Sequence, residues 1–420
     1  MSRRKESQSL APGLMEAPLD GLRIVDMSTY VAGPSGTMTL AQLGAEVIRI
    51  DPIGGATDFT RLPLGPSDTS LYWTGLNKAK QSVEIDTTTE EGRELVGALV
   101  GAPGPNGGVF LTNAVGRPWL SYEAMLQYRA DLIQIHIKGQ SDGRPAVDYT
   151  VNCEVGLPLM TGPVDFARPV NHVLPAWDLL TGLHAAIGLL SAERTRARTG
   201  KGQLVSVALA DVALATMGHL GFLADFVING HSRLRDGNYL FGSFGCDFKT
   251  SDGRRVMIVA LTERQWHKLV DVTDTGRAID ALEASLKVDL DDEAVRYRFR
   301  EVLEALFRAW FEERTFDEVS RALIEAQILW GPYRSVDNLL SEPTSMLNTS
   351  DIMVEVDQPG IGKFPIPRPV LNFSDWDEAL PTRAPVLGEH TDAVLSRLLG
   401  LDSADLAGLR ARSVIGGAVH

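Results

Sequence analysis

The chain has 420 residues, 44% of them hydrophobic and 22% charged, with a formal net charge of −14. Its length allows two domains with a large buried core, and its composition is that of a globular protein. The negative charge argues against non-specific nucleic-acid binding, but a local basic pocket on an acidic protein can still take an anionic ligand.

Residues 1–18 carry Arg3, Arg4 and Lys5 with no long apolar run after them. They read as a disordered leader, not a secretory signal. No stretch approaches the roughly 18 apolar residues of a membrane span, so a soluble protein is expected. Cys153 and Cys246 are too few and too far apart for a disulfide framework or a zinc site, which fits a reducing cytoplasm.

Leu22–Met27 reads as a strand, Ser28–Gly36 as a loop of small residues, Thr37–Leu43 as a helix and Ala45–Ile50 as a second strand. Strand, glycine-containing turn, helix, strand is a βαβ unit and implies a parallel sheet. The turn is neither a GxGxxG nor a Walker loop. By analogy with such sheets, a ligand is expected at the carboxyl end of the first strand. Gln81–Asp86, Val109–Thr112 and Leu132–Ile137 read as further strands, with helices at Thr89–Leu99 and Tyr122–Ala130 between them. Asn77, Lys80, Asn113 and Lys138 fall at strand ends. Each alone reads as a solvated residue, and together they outline one rim of an anion-binding crevice.

Asn171–Gly202 holds a helix with Asp178 at its head, small residues Gly182, Ala185, Ala186 and Gly188 along it, and Arg194, Arg196, Arg198 and Gly200 at its end. Anion first and cations with glycine last is the order the helix dipole favours, so Asp178 reads as the N-cap. His184, in the apolar part of this helix, reads as a core histidine, while His172 could orient a substrate carboxylate. Gln203–Leu209 reads as a strand and Asp211–Val227 as one long helix. A composition shift then marks a smaller domain, with a hairpin over Cys246–Leu261 and amphipathic helices over Thr262–Glu318. Leu329–Val336 reads as the return, Val354–Pro369 as an extended hairpin and Ala384–Leu399 as a final helix. There is no HExxH, no GxSxG and no Cys/His cluster. The nucleophile class left is a carboxylate, which can form an acyl anhydride. Residue patterns alone lead to a cytosolic α/β enzyme with Asp178 as either a cap or a nucleophile.

The segments LRIVDMSTYVAGPSG, LAQLGAEVIRIDP, LNKAKQSVEID, WDLLTGLHAAIGLLSAERTRARTGKGQLVSVAL and APVLGEHTDAVLSRLLGL resemble, in order, those of the family III CoA-transferases, from about Leu19 to Leu401. The resemblance implies an α/β, Rossmann-like large domain built from both chain ends (19–235 and 329–420) plus a smaller α+β domain (236–328). It also implies two chains interlocked as a homodimer. Coenzyme A is expected as part of an acyl-CoA substrate, with no permanently bound cofactor and no metal, and no nucleic-acid or membrane partner.

Residue by residue, Asp178 matches the family's catalytic aspartate. Val31 and Ala32 match positions bordering the CoA thiol arm, with Val31 where transferases often have Gln. Ile85 and Thr88 match positions holding the nucleotide end, without the cation often found at the latter. Asn113 and Ala114 match a turn that usually carries an Arg, for which Arg117 substitutes. Val147 and Tyr149 complete the implied CoA contacts. Val147 stands where racemases of the family have a His, which argues against racemisation because that reaction needs two acid/base groups at the α-carbon. Gly242-Ser243-Phe244-Gly245 is the nearest counterpart of a glycine-run lid. The stretches GLPLMTGPV, GNYLFGSFGCDF, WGPYRSV and VEVDQPGIG match best those members that move CoA between the two carboxylates of one branched unsaturated dicarboxylate. An intermolecular transferase, a racemase and a non-catalytic CoA-binding protein are the alternatives. A free carboxylate on the substrate needs cationic or polar partners, and Arg61, Lys138 and His172 are the candidates.

Overall fold

The computed structural model describes residues 17–376 and 381–417. Residues 1–16 of the expected leader lie outside these. The chain forms two compact units, one of Met1–Val155, Val173–Gly221 and Ser350–His420, the other of Gly156–His172 and Phe222–Thr349.

In chain order the first unit begins β1 (Arg23–Met27), α1 (Ala32–Gln42), β2 (Glu46–Asp51), α2 (Leu71–Leu76), β3 (Gln81–Glu84), α3 (Glu90–Gly101), β4 (Val109–Thr112), α4 (Tyr122–Met125), β5 (Ile133–Lys138) and α5 (Asp148–Glu154). After α6 (Leu157–Met160), which belongs to the second unit, come α7 (Ala176–Thr199), β6 (Gln203–Ala208) and α8 (Leu209–His219). The six strands form one sheet in the order β3-β2-β1-β4-β5-β6, parallel throughout. Central strands such as β4 (VFLT) are buried along their whole length, as a sheet covered on both faces requires. The strand order reverses between β1 and β4, so a crevice opens beyond their carboxyl ends.

The helix after β1 starts at Ala32, five residues before the expected Thr37. Its first turn is made of small residues plus Pro34, whose missing N–H costs nothing at a helix start. These small residues are needed for packing rather than for a loop. A Cβ on Gly36 would lie 2.5 Å from the Gly182 carbonyl oxygen, and one on Gly182 would lie 2.5 Å from the Ala32 carbonyl oxygen. Helices α1 and α7 thus touch backbone to backbone. Asp26, buried at the end of β1, accepts from the Ser28 amide (3.0 Å), the Thr37 hydroxyl (2.6 Å) and the Lys80 ammonium (3.1 Å). Asn77 and Lys80 are therefore not on a crevice rim: both are buried, and Lys80 also donates to the Pro34 carbonyl and to Asn77.

The expected helix over Asp211–Val227 is two, α8 and then α9 (Phe222–Asn229), because Gly221 between them has φ of 81°. The second unit continues with β7 (Phe244–Lys249), β8 (Arg255–Ala260), α10 (Glu263–Val272), α11 (Gly276–Leu286), α12 (Glu293–Arg298), α13 (Arg300–Glu312), α14 (Phe316–Glu325) and β9 (Leu329–Pro332). Strands β7, β8 and β9 form an antiparallel sheet against a core that includes Phe244, Trp266, Phe307 and Phe311. Leu329–Pro332, expected as the return, pairs with β8 instead, because Ile258 and Trp330 stand opposite each other on that sheet. Segment 156–172 joins this unit because Arg235 donates to the Pro158 and Leu159 carbonyls and the Gly237 amide to the Gly162 carbonyl. Short helices α15 (Val336–Ser341) and α16 (Met346–Thr349) complete it.

Back in the first unit, β10 (Met353–Gln358) and β11 (Gly362–Pro367) form the expected hairpin. The chain ends in α17 (Thr391–Leu399) and α18 (Ser403–Ala411). The segment before α17 covers the β3 edge, with the Gly388 amide donating to the Ser82 hydroxyl and the Glu84 amide to the Thr391 hydroxyl. Among the described residues no single helix is long and apolar enough to cross a membrane.

Candidate active site

Asp178 lies in the first turn of α7 but is not its N-cap. That position is Pro175, which makes no side-chain cap bond. The orphan amides of the helix start are satisfied otherwise. Ala176 N–H donates to the Leu174 carbonyl (2.8 Å), and the regular helical bonds begin with Leu179 N–H to the Pro175 carbonyl (3.1 Å). The amides of Trp177 (2.7 Å) and Asp178 (3.3 Å) both donate to one carboxylate oxygen of Asp148, at the start of α5. One helical turn later in α5, Asn152 accepts from the Trp177 indole N–H (3.2 Å). With its helix capped from outside, the Asp178 carboxylate lines a cavity of about 470 Å³, a size suited to a small ligand.

This cavity is walled by the first turn of α1, the end of β5, the start of α5 and the segment carrying Arg61 and Tyr72. A second cavity of about 550 Å³ is lined by Pro52, Thr88, Ala114 and Arg117. Thr29, Tyr30, Asn113 and Val115 line both, so the two cavities adjoin at the loops that follow β1 and β4. Asn113 pins these loops together: its side-chain amide donates to the Thr29 carbonyl (3.1 Å) while its oxygen accepts from the Thr29 amide (3.2 Å). Tyr30 is held in the left-handed region, at φ of 69°, by an N–H bond of 2.8 Å to Asp58. Asp58 is in turn paired with Arg49, a fully buried guanidinium that also forks onto Asp51 (2.8 and 2.9 Å). The buried charges below the loop thus fix the junction of the two cavities.

Burial, and then the negative charge of Asp148, push the Asp178 carboxyl up to about 6, with Arg61 pulling the other way. The rise is owed first to burial and second to the like charge of Asp148, which also occupies the nearby helix amides. The Arg61 guanidinium sits over the rings of Tyr72 (4.8 Å) and Tyr30 (5.7 Å), an exposed cation held in place by two aromatic faces.

Of the residues singled out from sequence, Asp178, Val31, Ala32, Asn113, Val147, Tyr149, Arg61 and Lys138 line the first cavity. Asn113, Ala114, Thr88 and Arg117 line the second. Ile85 reaches neither: it is fully buried in the core of the first unit and bridges Ile415. His172 belongs to the second unit. His184 is exposed and bonds the Leu180 carbonyl (2.8 Å) instead of sitting in the core, because it lies on the outer face of α7. Gly242-Ser243-Phe244-Gly245 runs into β7, where Phe244 is fully buried.

The family model described as CoA-transferase family III matches residues 19–391. The chain belongs to CoA-transferase family III. A relative named 2-methylfumaryl-CoA isomerase, from Chloroflexus aurantiacus, is 47% identical over 404 residues, 96% of this chain and 99% of the relative. A succinyl-CoA:mesaconate CoA-transferase from Haloarcula hispanica is 28% identical over 90% of this chain and 95% of its own. The crystal structure of a CAIB/BAIF family protein from Brucella suis superimposes with a TM-score of 0.75 at 27% identity, covering 91% of this chain and 100% of that one.

In this family III CoA-transferase, sequence reading missed Asp148, Asn152 and Asp58. None carries a motif of its own. The one signal was the i, i+4 spacing of Asp148 and Asn152, which places both on one face of a helix. The arrangement offers a basic, partly desolvated carboxylate in a cavity open on one side, a cation at its rim, and a second cavity beside it.

Proposed function

We propose that this chain moves CoA between the two carboxyl groups of one branched unsaturated dicarboxylate, converting 2-methylfumaryl-CoA to 3-methylfumaryl-CoA, with Asp178 as nucleophile. The observation carrying this is the Asp178 carboxylate, freed of capping and raised to about 6, lining the 470 Å³ cavity. The 47% identity to a 2-methylfumaryl-CoA isomerase supports the choice of substrate.

An Asp178 oxygen attacks the thioester carbonyl, the C–S bond breaks, and a mixed anhydride and CoA thiolate result. The thiolate attacks the aspartyl carbonyl, releasing the dicarboxylate and leaving an aspartyl-CoA thioester. The dicarboxylate turns end for end in the cavity. Its other carboxylate attacks the aspartyl thioester and expels the thiolate. Attack of that thiolate on the substrate side of the new anhydride gives the isomeric thioester and restores the Asp178 carboxylate. Arg61 and Lys138, at different walls of the cavity, hold the carboxylate that is not reacting. The tetrahedral oxyanions are assigned to the first turn of α1 at Val31 and Ala32, since the first amides of α7 are already taken. The bound acyl-CoA itself must displace water from the anhydride.

The pantetheine arm passes Val31 and Ala32 in this reading, and the nucleotide end occupies the second cavity near Thr88, Asn113, Ala114 and Arg117. CoA enters only with the substrate. The working form is an interlocked cytoplasmic homodimer. Exposed Leu183, Ile187 and Leu214 in the first unit, and α9 (FLADFVIN) with no buried residue in the second, support a partner surface.

Incubating 2-methylfumaryl-CoA alone tests the proposal. Isomerisation without added acid, with labelled free mesaconate left unincorporated, is the expected result. A strict need for a separate acid would sink the intramolecular reading and favour an intermolecular transferase, the activity in the name of the Haloarcula relative. Solvent deuterium at the α-carbon of a saturated 2-methylacyl-CoA would favour racemisation, against which Val147, a hydrocarbon on the cavity wall, already argues.

A further inference from the structure

The start of α7 is held by two side chains from α5, both buried to 2% exposure. One Asp148 oxygen takes the Trp177 and Asp178 amides, and Asn152 takes the Trp177 indole N–H. The Trp177 and Asp178 amides are the second and third of the helix, which an N-cap side chain ordinarily accepts, and Pro175 at the N-cap has no side-chain acceptor to offer. We propose that Asp148 is a positioning residue for the transfer reaction: by capping α7 where Pro175 cannot, it fixes the backbone at Asp178 and holds the Asp178 carboxylate at the cavity, available for attack on the thioester. This rests on the reading of Asp178 as nucleophile.

The charge of Asp148 adds to the effect of its geometry. The titratable and charged groups around Asp178 are Asp148 on α5, Arg61 and Tyr72 from the segment after β2, Tyr149 next to Asp148, and Lys138 at the end of β5. Burial and Asp148 raise the carboxyl, while Arg61 opposes them. A more basic carboxylate is the better nucleophile, and with a pKa of about 6 it is still mostly ionised at neutral pH. Asp148 therefore does two things through one side chain: it fixes the helix start and keeps Asp178 basic.

A cap that is only structural predicts a loss of stability when Asp148 is changed and nothing else. The distinguishing measurement is the rate at which 2-methylfumaryl-CoA forms an adduct on Asp178, trapped with hydroxylamine and read by mass spectrometry across the acid range. It is made on the purified full chain and on Asp148→Asn and Asp148→Ala. In the wild type, trapping falls below a midpoint of about 6. In Asp148→Asn, which keeps a carbonyl acceptor for the two amides, the midpoint moves acidward by about one pH unit as the like charge is removed, with KM for the thioester within about twofold. In Asp148→Ala, trapping slows roughly tenfold or more, because the helix start and the carboxylate lose their fixed positions. If Asp148→Ala does not fold, Asp148→Asn decides alone. An adduct on Asp178 with an unmoved midpoint in Asp148→Asn overturns the inference while leaving the nucleophile standing. No adduct on wild-type Asp178 overturns the nucleophile, and the inference with it.

Discussion

Asp178 is held in an unfavourable state, and this can be measured apart from catalysis. Its carboxyl is raised from an ordinary value near 3.8 to about 6. The folded protein therefore binds this proton between those two values where the unfolded chain has lost it. Stability is greatest with Asp178 neutral, and the cost of the buried charge appears as pH rises through about 6. Asp178→Asn, which carries no charge, should melt higher than wild type by roughly 1–3 °C at mildly alkaline pH. The gain should shrink to nothing near pH 4, and equal melting temperatures at both pH values would show that the carboxylate is not strained. The same variant, and Asp178→Ala, should lose turnover to the detection limit. Arg61 makes a second case at this scale. It is exposed and stacked on Tyr72 and Tyr30, so Arg61→Ala should leave the melting temperature within about 1 °C while raising KM about tenfold. Arg61→Lys should recover little of this, because an ammonium has neither the planar face nor the fork of a guanidinium.

At the scale of elements, the site depends on how closely α1 and α7 approach. Gly36 and Gly182 form the contact, and each sits where a Cβ would strike the other helix's backbone. Backbone cannot move aside as a side chain can. Gly182→Val should therefore cost about 1–3 kcal/mol or more by overpacking, measured by urea denaturation, and should lower kcat by separating Val31 and Ala32 from Asp178. Gly188→Ala, further along α7, should be close to neutral, since its Cβ would meet only Val205 at 3.1 Å. The element pattern also explains one misread boundary. Small residues over 28–36 resemble a loop in sequence, yet from Ala32 onward they are helix, and they are small because another helix lies on them.

For the whole molecule, the order β3-β2-β1-β4-β5-β6 puts the reversal of the sheet between β1 and β4. Both cavities open at the loops following those two strands, joined by the reciprocal Asn113–Thr29 bonds. Asn113→Ala should loosen both loops together and weaken binding of the CoA thioester more than it slows trapping on Asp178, read as a larger change in KM than in kcat. The exposed apolar residues of α9 and the outer face of α7 bear on assembly. Light scattering should give twice the 45.6 kDa chain mass, and a monomer that retains activity would remove the dimer from the proposal.

Sequence periodicity alone determined the βαβ order and the parallel sheet, because buried strands and amphipathic helices write their burial into residue spacing. Residue patterns also brought Asp178, Asn113 and Lys138 forward, since strand ends and helix starts are where such a sheet exposes polar groups, while Val31 came from the family resemblance. Tertiary structure alone decided that Lys80 and Asn77 are buried partners of Asp26 and Arg49, that Ile85 is core, and that Asp148 caps a helix 30 residues away. The reason is physical. Spacing along the chain reports which face of an element is buried, but a hydrogen bond or a like charge between two elements depends on their approach in space. Asp178 looks like a cap in the sequence because Asp before an apolar run is a preferred cap residue; in the fold the N-cap is Pro175, and the packing of α5 against α7 gives the capping task to Asp148.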